Sequence, residues 1–251
     1  MNSTRSSRSP EIETVKGHAS TATIAGLAAD FRSIELAAED DAAGPLLPTR
    51  SVTLYLLAEP ERAIDAAALL REPVIADPPY WALVWTGARA IAAVLLQGPS
   101  LRSRRVLDLG CGLGLSGIAA AEAGAQVTFG DYLEEPLAFV RASLARRHSS
   151  DDRHEVRRVD FTRDRLEERF DVILAADIVY DPAHYAPLTE FLDVHLSPDG
   201  IMVLTESLRA DATVFLDRLC ARGFIDDRRS LWVVEDGRRE RTWLHTLRRR
   251  A

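Results

Sequence analysis

Residues 106–114 read Val106-Leu107-Asp108-Leu109-Gly110-Cys111-Gly112-Leu113-Gly114, and this stretch indicates how the chain folds. An apolar strand leads into three glycines at alternate positions, and an alanine-rich helix is predicted to follow over 116–123. Because glycine has no Cβ, the backbone can turn tightly there and can approach a ligand closely. The stretch therefore predicts a strand–turn–helix unit with a ligand site at the carboxyl end of its strand.

Strands and helices alternate on both sides of this unit. Upstream, the sequence predicts a strand over 53–57, a helix from Pro60 to Leu70, an aromatic cluster over 80–85 and a helix over 86–97. Downstream, it predicts strands over 126–129, 155–160, 170–175, 201–205, 230–235 and 242–247, and helices over 136–148, 187–196 and 211–222. The alternation predicts a doubly wound α/β fold with a mostly parallel sheet. The dipeptide Asp236-Gly237 predicts a hairpin, which makes the last strand antiparallel.

The division of the chain is predicted at residue 50. Residues 1–10 are rich in Ser and Arg and are expected to be disordered. Little could be assigned between residues 12 and 48. We therefore expect a partly disordered N-terminal extension over 1–50 and one domain of catalytic size over 51–251.

Composition excludes several classes of protein. The formal net charge of −7 disfavours general nucleic-acid binding, because neutralising phosphates needs a basic surface. No apolar run approaches the roughly 18 residues that a membrane span needs, and the first ten residues lack the apolar core of a secretory signal. Two cysteines cannot form a disulfide framework or a cysteine-rich zinc site. We expect a cytoplasmic protein without a structural metal or a membrane partner.

Acidic residues follow three successive predicted strands. Asp108 closes the first, Asp131 ends the second, where an acid meets ribose hydroxyls, and Asp160 follows the third. Asp160 could meet an adenine amino group while Phe161 packs on the ring. Taken singly, each could be a turn, capping or loop residue beside a core aromatic. Together they indicate a nucleoside site along one sheet edge.

This pattern resembles the class I S-adenosylmethionine-dependent methyltransferases. Asp108 with Gly110, Gly112 and Gly114 matches the first motif of that class, Asp131 matches its ribose-binding acid and Asp160 its adenine-side acid. The resemblance covers about residues 75–250. It implies a Rossmann-like sheet of seven strands with the last inserted antiparallel, and S-adenosylmethionine as the cofactor.

A narrower resemblance is to the family 16 protein-lysine methyltransferases, and within them to the branch that modifies the electron-transfer flavoprotein β subunit and its bacterial relatives. The matching motifs are Pro79-Tyr80-Trp81-Ala82-x-x-Trp85-x-Gly87 and Asp177-Ile178-Val179-Tyr180. The resemblance implies that Trp85 lies on the cofactor side. It also implies that Asp177 lies beside the methyl donor and holds the acceptor amine, and that Tyr180 lines the acceptor channel. In a purely structural alternative, Asp177 caps a turn and Tyr180 belongs to the core.

The chain departs from that branch at two points. Thr86 stands where the branch usually has proline, and Thr205-Glu206-Ser207-Leu208-Arg209 stands where it often has Gly-Asp-Pro-Gly-Arg. The second segment borders the expected acceptor pocket. The acceptor, a protein lysine or a small-molecule amine or other metabolite, is therefore left open, as is the oligomeric state.

Two other classes of function remain possible at this point. The residues Gly112-x-Gly114-x-x-Gly117 also satisfy the dinucleotide fingerprint of a nicotinamide-dependent oxidoreductase. That frame leaves Gly110 unexplained and puts Asp108 near a pyrophosphate, which it would repel. The other possibility is a protein that binds the cofactor without catalysis, although acids at every strand end weigh against it.

Overall fold

The computed structural model describes residues 20–41, 48–60, 79–147, 153–207, 212–235 and 237–250. Within these ranges the strands are β1 (Ser20–Ile24), β2 (Leu27–Asp40), β3 (Arg50–Leu57), β4 (Arg105–Leu109), β5 (Gln126–Asp131), β6 (Glu155–Arg158), β7 (Phe170–Ala176), β8 (Leu196–Ser207), β9 (Phe224–Glu235) and β10 (Arg238–Arg249). The helices are α1 (Thr86–Leu95), α2 (Leu115–Glu122), α3 (Glu134–Arg146), α4 (Tyr185–His195) and α5 (Thr213–Ala221). Short 3-10 turns cover Tyr80–Ala82 and Pro182–His184.

Seven of these strands form the predicted sheet, in the order β6-β5-β4-β7-β8-β10-β9. Neighbours from β6 to β8 are parallel, whereas β10 is antiparallel to both β8 and β9. The hairpin between β9 and β10 turns at Gly237, whose φ of 75° is in the left-handed region. The predicted doubly wound α/β fold, with an antiparallel strand inserted from a C-terminal hairpin, is confirmed.

Helices cover both faces of the parallel strands. The buried residues of α1, α2 and α3 pack on one face, and those of α4 and α5 pack on the other. Adjacent residues of β4 show the division, because Val106 belongs to the first core cluster and Leu107 to the second. Burial on both faces is why β4 has apolar residues at successive positions rather than an alternation of apolar and polar ones. None of the described helices combines the length and the apolar composition needed to cross a bilayer.

Three further strands extend the sheet, and the sequence had not indicated two of them. Residues 37–40 of β2 pair with β9, while the earlier part of β2 pairs with β1 and β3. Small buried residues such as Ala29 and Ala38 give β2 a weak alternating pattern, which explains why it was missed. The division at residue 50 stays a prediction. It falls after Arg50, the first residue of β3, and β3 pairs with β2 over eight residues.

The structure differs from the predicted elements at the start of β8. We expected Pro198-Asp199-Gly200 to be a turn before a strand over 201–205, but the structure includes these residues in a longer strand. The pairing with β7 shifts between Phe170, which faces Leu196, and Val172, which faces Ile201. The extra residues are accommodated as an irregularity in the strand rather than as a separate turn. The predicted helix beyond Pro60, the disorder of residues 1–10 and the turn residue Asp236 lie outside the described residues.

The outer edge of β3 is covered by groups from the end of α3. The Tyr55 amide donates to Ser143 Oγ at 2.8 Å, and Arg147 Nη1 donates to the Thr53 carbonyl, also at 2.8 Å. Ser143 is fully buried. These bonds satisfy backbone groups that an edge strand leaves unpaired, and they join the N-terminal strands to the domain.

We expect Ser143→Ala to lower the free energy of unfolding by about 1–3 kcal/mol, because the buried Tyr55 amide loses its acceptor. Denaturant unfolding followed by circular dichroism measures this. The matched control is Ser100→Ala, whose exposed hydroxyl makes only surface bonds and whose loss should cost less than about 0.5 kcal/mol. Equal stabilities of the two variants would contradict this role for Ser143.

Candidate active site

The glycine-rich turn joins β4 to α2 at the carboxyl edge of the sheet. Gly110, Gly112 and Gly114 have φ values of 64°, 51° and 83°, which side-chain-bearing residues rarely adopt. The Cys111 amide donates to the Gly130 carbonyl at 3.0 Å, so the turn is fixed to the end of β5. The three alternating glycines that indicated a ligand site therefore form a backbone loop that is fixed to β5 and has no Cβ atoms at these positions.

Asp108 lies beneath this turn. It is 2% exposed, and its Oδ2 accepts a 2.8 Å hydrogen bond from the Gly117 amide in α2. Burial raises the pKa of Asp108 to about 7, and the nearby charge of Asp131 adds to the rise, against the opposing effect of the Gly117 hydrogen bond. The residue thus holds the first turn of α2 against β4.

Asp131 holds the same loop from the end of β5. Its Oδ2 accepts from the Gly112 amide at 3.0 Å and its Oδ1 from the Leu133 amide at 3.1 Å. It is 4% exposed, and burial raises its pKa despite these two hydrogen bonds. Asp108 and Asp131 are therefore brought together at the glycine-rich turn, as expected. Their contacts with a cofactor stay a prediction.

Asp160 lies just beyond β6. Its Oδ1 accepts from the amide of Thr162 at 3.0 Å and from the hydroxyl of that residue at 2.6 Å. Burial alone would raise the pKa of Asp160, but the Thr162 hydrogen bonds and the charges of Arg163 and Arg158 lower it. This carboxylate is ionised at neutral pH. Its contact with adenine remains a prediction.

Asp177, after β7, contacts the beginning of α1. Its amide donates to the Thr205 carbonyl at 3.2 Å, and its Oδ2 accepts from the Gly87 amide at 2.9 Å. Its φ is 53°, an unfavourable conformation for a residue with a side chain. Asp177 thus binds a backbone amide in the first turn of α1, which is a structural role. Its contact with the acceptor amine stays a prediction.

Gly87 and Thr205 complete this junction. A Cβ at Gly87 would overlap the Thr205 hydroxyl and lie 2.5 Å from Asp177 Oδ2. Thr205 is fully buried, and its Oγ1 has no hydrogen-bond partner among the described residues. Neither residue was predicted to act in the site. Gly87 was part of a quoted motif, but its contact with Thr205 joins residues far apart in sequence.

Glu206, near the end of β8, is one of the residues at which the sequence departs from the branch it resembles. Glu206 Oε2 accepts from the Ala212 amide at 3.1 Å, and Oε1 lies 3.3 Å from Nε2 of the buried His245. The second nitrogen of His245 lies 2.8 Å from Asp226 Oδ2. Burial would lower the pKa of His245, but the two carboxylates raise it. Leu208 and Arg209 lie outside the described residues.

Two segments lie against the glycine-rich turn. A Cβ at Gly112 would lie 3.5 Å from the Trp81 carbonyl oxygen, which is an ordinary contact, and a Cβ at Gly110 would lie 2.8 Å from Ile178 Cγ2, which is too close. Glycine at position 110 therefore lets Ile178 approach the loop, while glycine at position 112 is favoured by its φ of 51°. The two motifs quoted for the narrower resemblance meet here.

Five aromatic rings form a continuous row beside this place. Ring centroids are 5.8 Å apart for Trp85 and Tyr80, 5.5 Å for Tyr80 and Tyr180, 6.4 Å for Tyr180 and His184, and 5.5 Å for His184 and Phe161. Tyr180 is 47% exposed, so it is a surface residue and not part of the core. The sequence pointed to Trp85, Tyr180 and Phe161, but it missed Tyr80 and His184. Tyr80 lies in the predicted aromatic cluster, which was the available signal.

The arrangement fits S-adenosylmethionine. Side chains at the turn glycines would extend toward Trp81 and Ile178. Because the glycines have no Cβ atoms, a ligand can lie close to the backbone of the loop. Asp108 lies below the loop, and Asp131 and Asp160 follow the next two strands. A carboxylate in this place suits a cationic, hydroxyl-bearing ligand and would repel a pyrophosphate.

The raised pKa of Asp108 predicts a pH-dependent stability. Between its ordinary value of 3.8 and about 7, the folded chain keeps the Asp108 proton while the unfolded chain loses it. The stability that this proton contributes is therefore full below about pH 4 and is lost as the pH rises through about 7.

We expect Asp108→Asn to be more stable than the wild type at pH 8, by on the order of 2–4 kcal/mol. The difference should vanish near pH 4, because the amide oxygen can still accept from Gly117 and no charge is buried in either protein. Urea unfolding at the two pH values measures it. Parallel pH profiles for the two proteins would contradict the assignment.

We expect Gly87→Ala to lower methyl transfer by about 100-fold, because the added methyl group displaces Asp177 and Thr205. Initial rates with labelled donor measure this. The variant's affinity for S-adenosylhomocysteine should change much less, and its circular dichroism spectrum checks that it is folded. Unchanged turnover would show that the junction is not needed for the reaction.

Comparison with known proteins gives the family of this chain. Residues 80–221 match the family model described as "Lysine methyltransferase". The electron transfer flavoprotein beta subunit lysine methyltransferase of Danio rerio is 31% identical over 131 residues, which are 50% of this chain and 48% of that protein. The protein N-lysine methyltransferase METTL21A of Xenopus tropicalis is 34% identical over 131 residues, 50% of this chain and 60% of that protein. The chain thus spans about half the length of the curated relatives it matches.

Solved structures show the same fold. A putative RNA methyltransferase, PH1948 from Pyrococcus horikoshii, aligns with a TM-score of 0.55 at 16% identity, over 74% of this chain and 97% of that one. Magnesium protoporphyrin IX methyltransferase from Synechocystis, with bound S-adenosylmethionine, aligns with a TM-score of 0.53 at 19% identity, over 64% and 77%.

The family match covers more than half of the chain and decides against the nicotinamide-dependent alternative. It also confirms S-adenosylmethionine as the cofactor. The chain belongs to the lysine methyltransferase family of class I, S-adenosylmethionine-dependent methyltransferases.

Proposed function

We propose that this chain transfers a methyl group from S-adenosylmethionine to the side-chain amine of a lysine in a protein. The observation that carries the proposal is the placement of Asp177. This carboxylate is held by the Gly87 amide beside the glycine-rich turn, and the half-exposed Tyr180 follows three residues later. Family membership and relatives named as protein lysine methyltransferases support the same acceptor.

The reaction places modest demands on the protein. When bound, S-adenosylmethionine supplies an electrophilic methyl group on a sulfonium. Methyl transfer is an in-line displacement, for which the protein must orient the amine and exclude water. Asp177 suits this task because two hydrogen bonds, from its amide to Thr205 and from Gly87 to its Oδ2, fix its position. A fixed carboxylate can accept a hydrogen bond from the amine and so direct the nitrogen lone pair.

The carboxylate has two opposing effects on a lysine amine. A nearby negative charge raises the pKa of the amine, which favours capture of the ammonium but opposes the proton loss that attack requires. The proposal therefore includes loss of this proton to water before methyl transfer. Tyr180 can accommodate the cationic nitrogen on its ring face until then.

The proposal also concerns the setting in which the chain acts. We place the enzyme in the cytoplasm with a protein acceptor, and without a nucleic-acid or membrane partner. The net charge of −7 is unsuited to phosphate backbones. Cys111 and Cys220 are free thiols, which agrees with a reducing compartment.

Two substitutions should separate cofactor binding from turnover. We expect Asp108→Ala to abolish binding of S-adenosylhomocysteine, because the glycine-rich turn loses its support. We expect Asp177→Ala to leave that binding within about twofold and to lower turnover by about 100-fold or more. Asp199→Ala, an exposed acid at the opposite edge of the sheet, is the matched control and should change neither quantity. Calorimetry and initial rates give the two measurements.

The acceptor is identified with deuterated methyl donor. Extract from cells that lack the gene for this chain is incubated with the enzyme and the donor, and proteins and metabolites are analysed by mass spectrometry. Label on lysine residues supports the proposal. Label confined to small molecules would replace the protein acceptor with a metabolite, and full activity of Asp177→Ala would remove Asp177 from the acceptor site.

A further inference from the structure

We propose that Tyr80 is a specificity-determining residue for the acceptor. Its ring, with that of Tyr180, forms the aromatic surface along which an ammonium-bearing, unbranched alkyl side chain reaches the methyl donor. The inference rests on the proposed function and deepens it, because it assigns a selecting role to a residue outside the predicted site.

The two tyrosines belong to the segments that lie nearest the glycine-rich turn. The Trp81 carbonyl oxygen is the atom nearest to where a Cβ of Gly112 would stand, and Ile178 Cγ2 is the atom nearest to where a Cβ of Gly110 would stand. Tyr80 precedes Trp81, and Tyr180 follows Ile178 by two residues and Asp177 by three. Their rings meet with centroids 5.5 Å apart and planes inclined at 61°. The pair therefore joins the two segments that approach the turn.

The contact between Tyr80 and Tyr180 is not part of the hydrophobic core. Tyr180 is 47% exposed and Tyr80 is partly exposed, whereas neighbouring Trp81 packs inward against Phe139 at 5.7 Å. A tyrosine pair that stays accessible beside a ligand loop contributes little to core packing. Both rings keep exposed surface that a ligand can contact.

The backbone of Tyr80 is fixed independently of its ring. Trp85 Nε1 donates to the Tyr80 carbonyl oxygen at 2.8 Å, and the ring of Trp85 lies 5.8 Å from that of Tyr80. Replacing the side chain of residue 80 leaves this hydrogen bond in place. Substitutions there therefore test the ring itself.

The chemistry of the pair matches a lysine side chain. Aromatic faces attract a cationic nitrogen, and they also bury the methylene groups that precede it. The carboxylate of Asp177, three residues before Tyr180, supplies the opposite charge. An anionic acceptor would be repelled by Asp177, and a branched one would fit less closely in the angle of 61° between the two rings.

The test compares Tyr80→Leu with Tyr80→Phe. The acceptor is protein extract from cells lacking the gene, supplied at graded concentrations with deuterated donor, and methyl-lysine is measured after complete hydrolysis. We expect Tyr80→Leu to raise the apparent KM for extract protein about 5- to 30-fold, with S-adenosylhomocysteine affinity unchanged within twofold. Tyr80→Phe should behave as the wild type. The control is Phe31→Leu. It removes a similar ring contact, between Phe31 and Tyr55 with centroids 4.9 Å apart, in the N-terminal strands β2 and β3.

The possible outcomes are distinct. Methyl-lysine production by the wild type with an unchanged KM for Tyr80→Leu would overturn the inference and leave the proposed function intact. If Tyr80→Leu lost S-adenosylhomocysteine affinity by a factor similar to its rise in KM, the ring would belong to the cofactor site, and the inference would again be overturned. Absence of methyl-lysine with the wild type would overturn the proposed function, and this inference with it.

Discussion

Two buried carboxylates, one bonded to the glycine-rich loop and one to the helix that follows it, are the constraint on which the site depends. Asp108 accepts from Gly117 at the start of α2, and Asp131 accepts from Gly112 within the turn. Both acids have raised pKa values because they are buried, so the loop is held at a cost in electrostatic free energy. A cationic ligand above the loop offsets that cost, which gives a physical reason for placing acids beneath a methyl donor.

The acceptor side depends on a different kind of constraint. Here the position of Asp177 follows from close packing of three elements, because Gly87 of α1 and Thr205 of β8 leave no room for a Cβ between them. The left-handed conformation of Asp177 stores strain at the point where the reaction is proposed to occur. Any change that moves α1 relative to β8 should thus affect turnover before it affects cofactor binding.

The aromatic row shows how far the site could be predicted. Trp85, Tyr180 and Phe161 were identified because each lies in a motif or follows a strand-end acid. Tyr80 lies in the same motif as Trp85 but was given no role, and His184 lies in no motif. Their contacts, with Tyr180 and with Phe161, join segments that are distant in sequence. The N-terminal strand β2 was missed for a related reason. Its pairing with β9 joins residues nearly two hundred positions apart, and its own alternation is weak.

The sequence by itself determined the doubly wound, mostly parallel sheet, its antiparallel last strand, and the acids and glycines of the cofactor loop. These features are local: an apolar strand, a run of glycines and a helix follow one another, and each is set by backbone and burial preferences over a few residues. Only the tertiary structure placed Gly87 against Thr205 and Asp177, Tyr80 against Tyr180, and β2 beside β9. These contacts join distant parts of the chain, so their geometry exists only once the strands and helices have packed together.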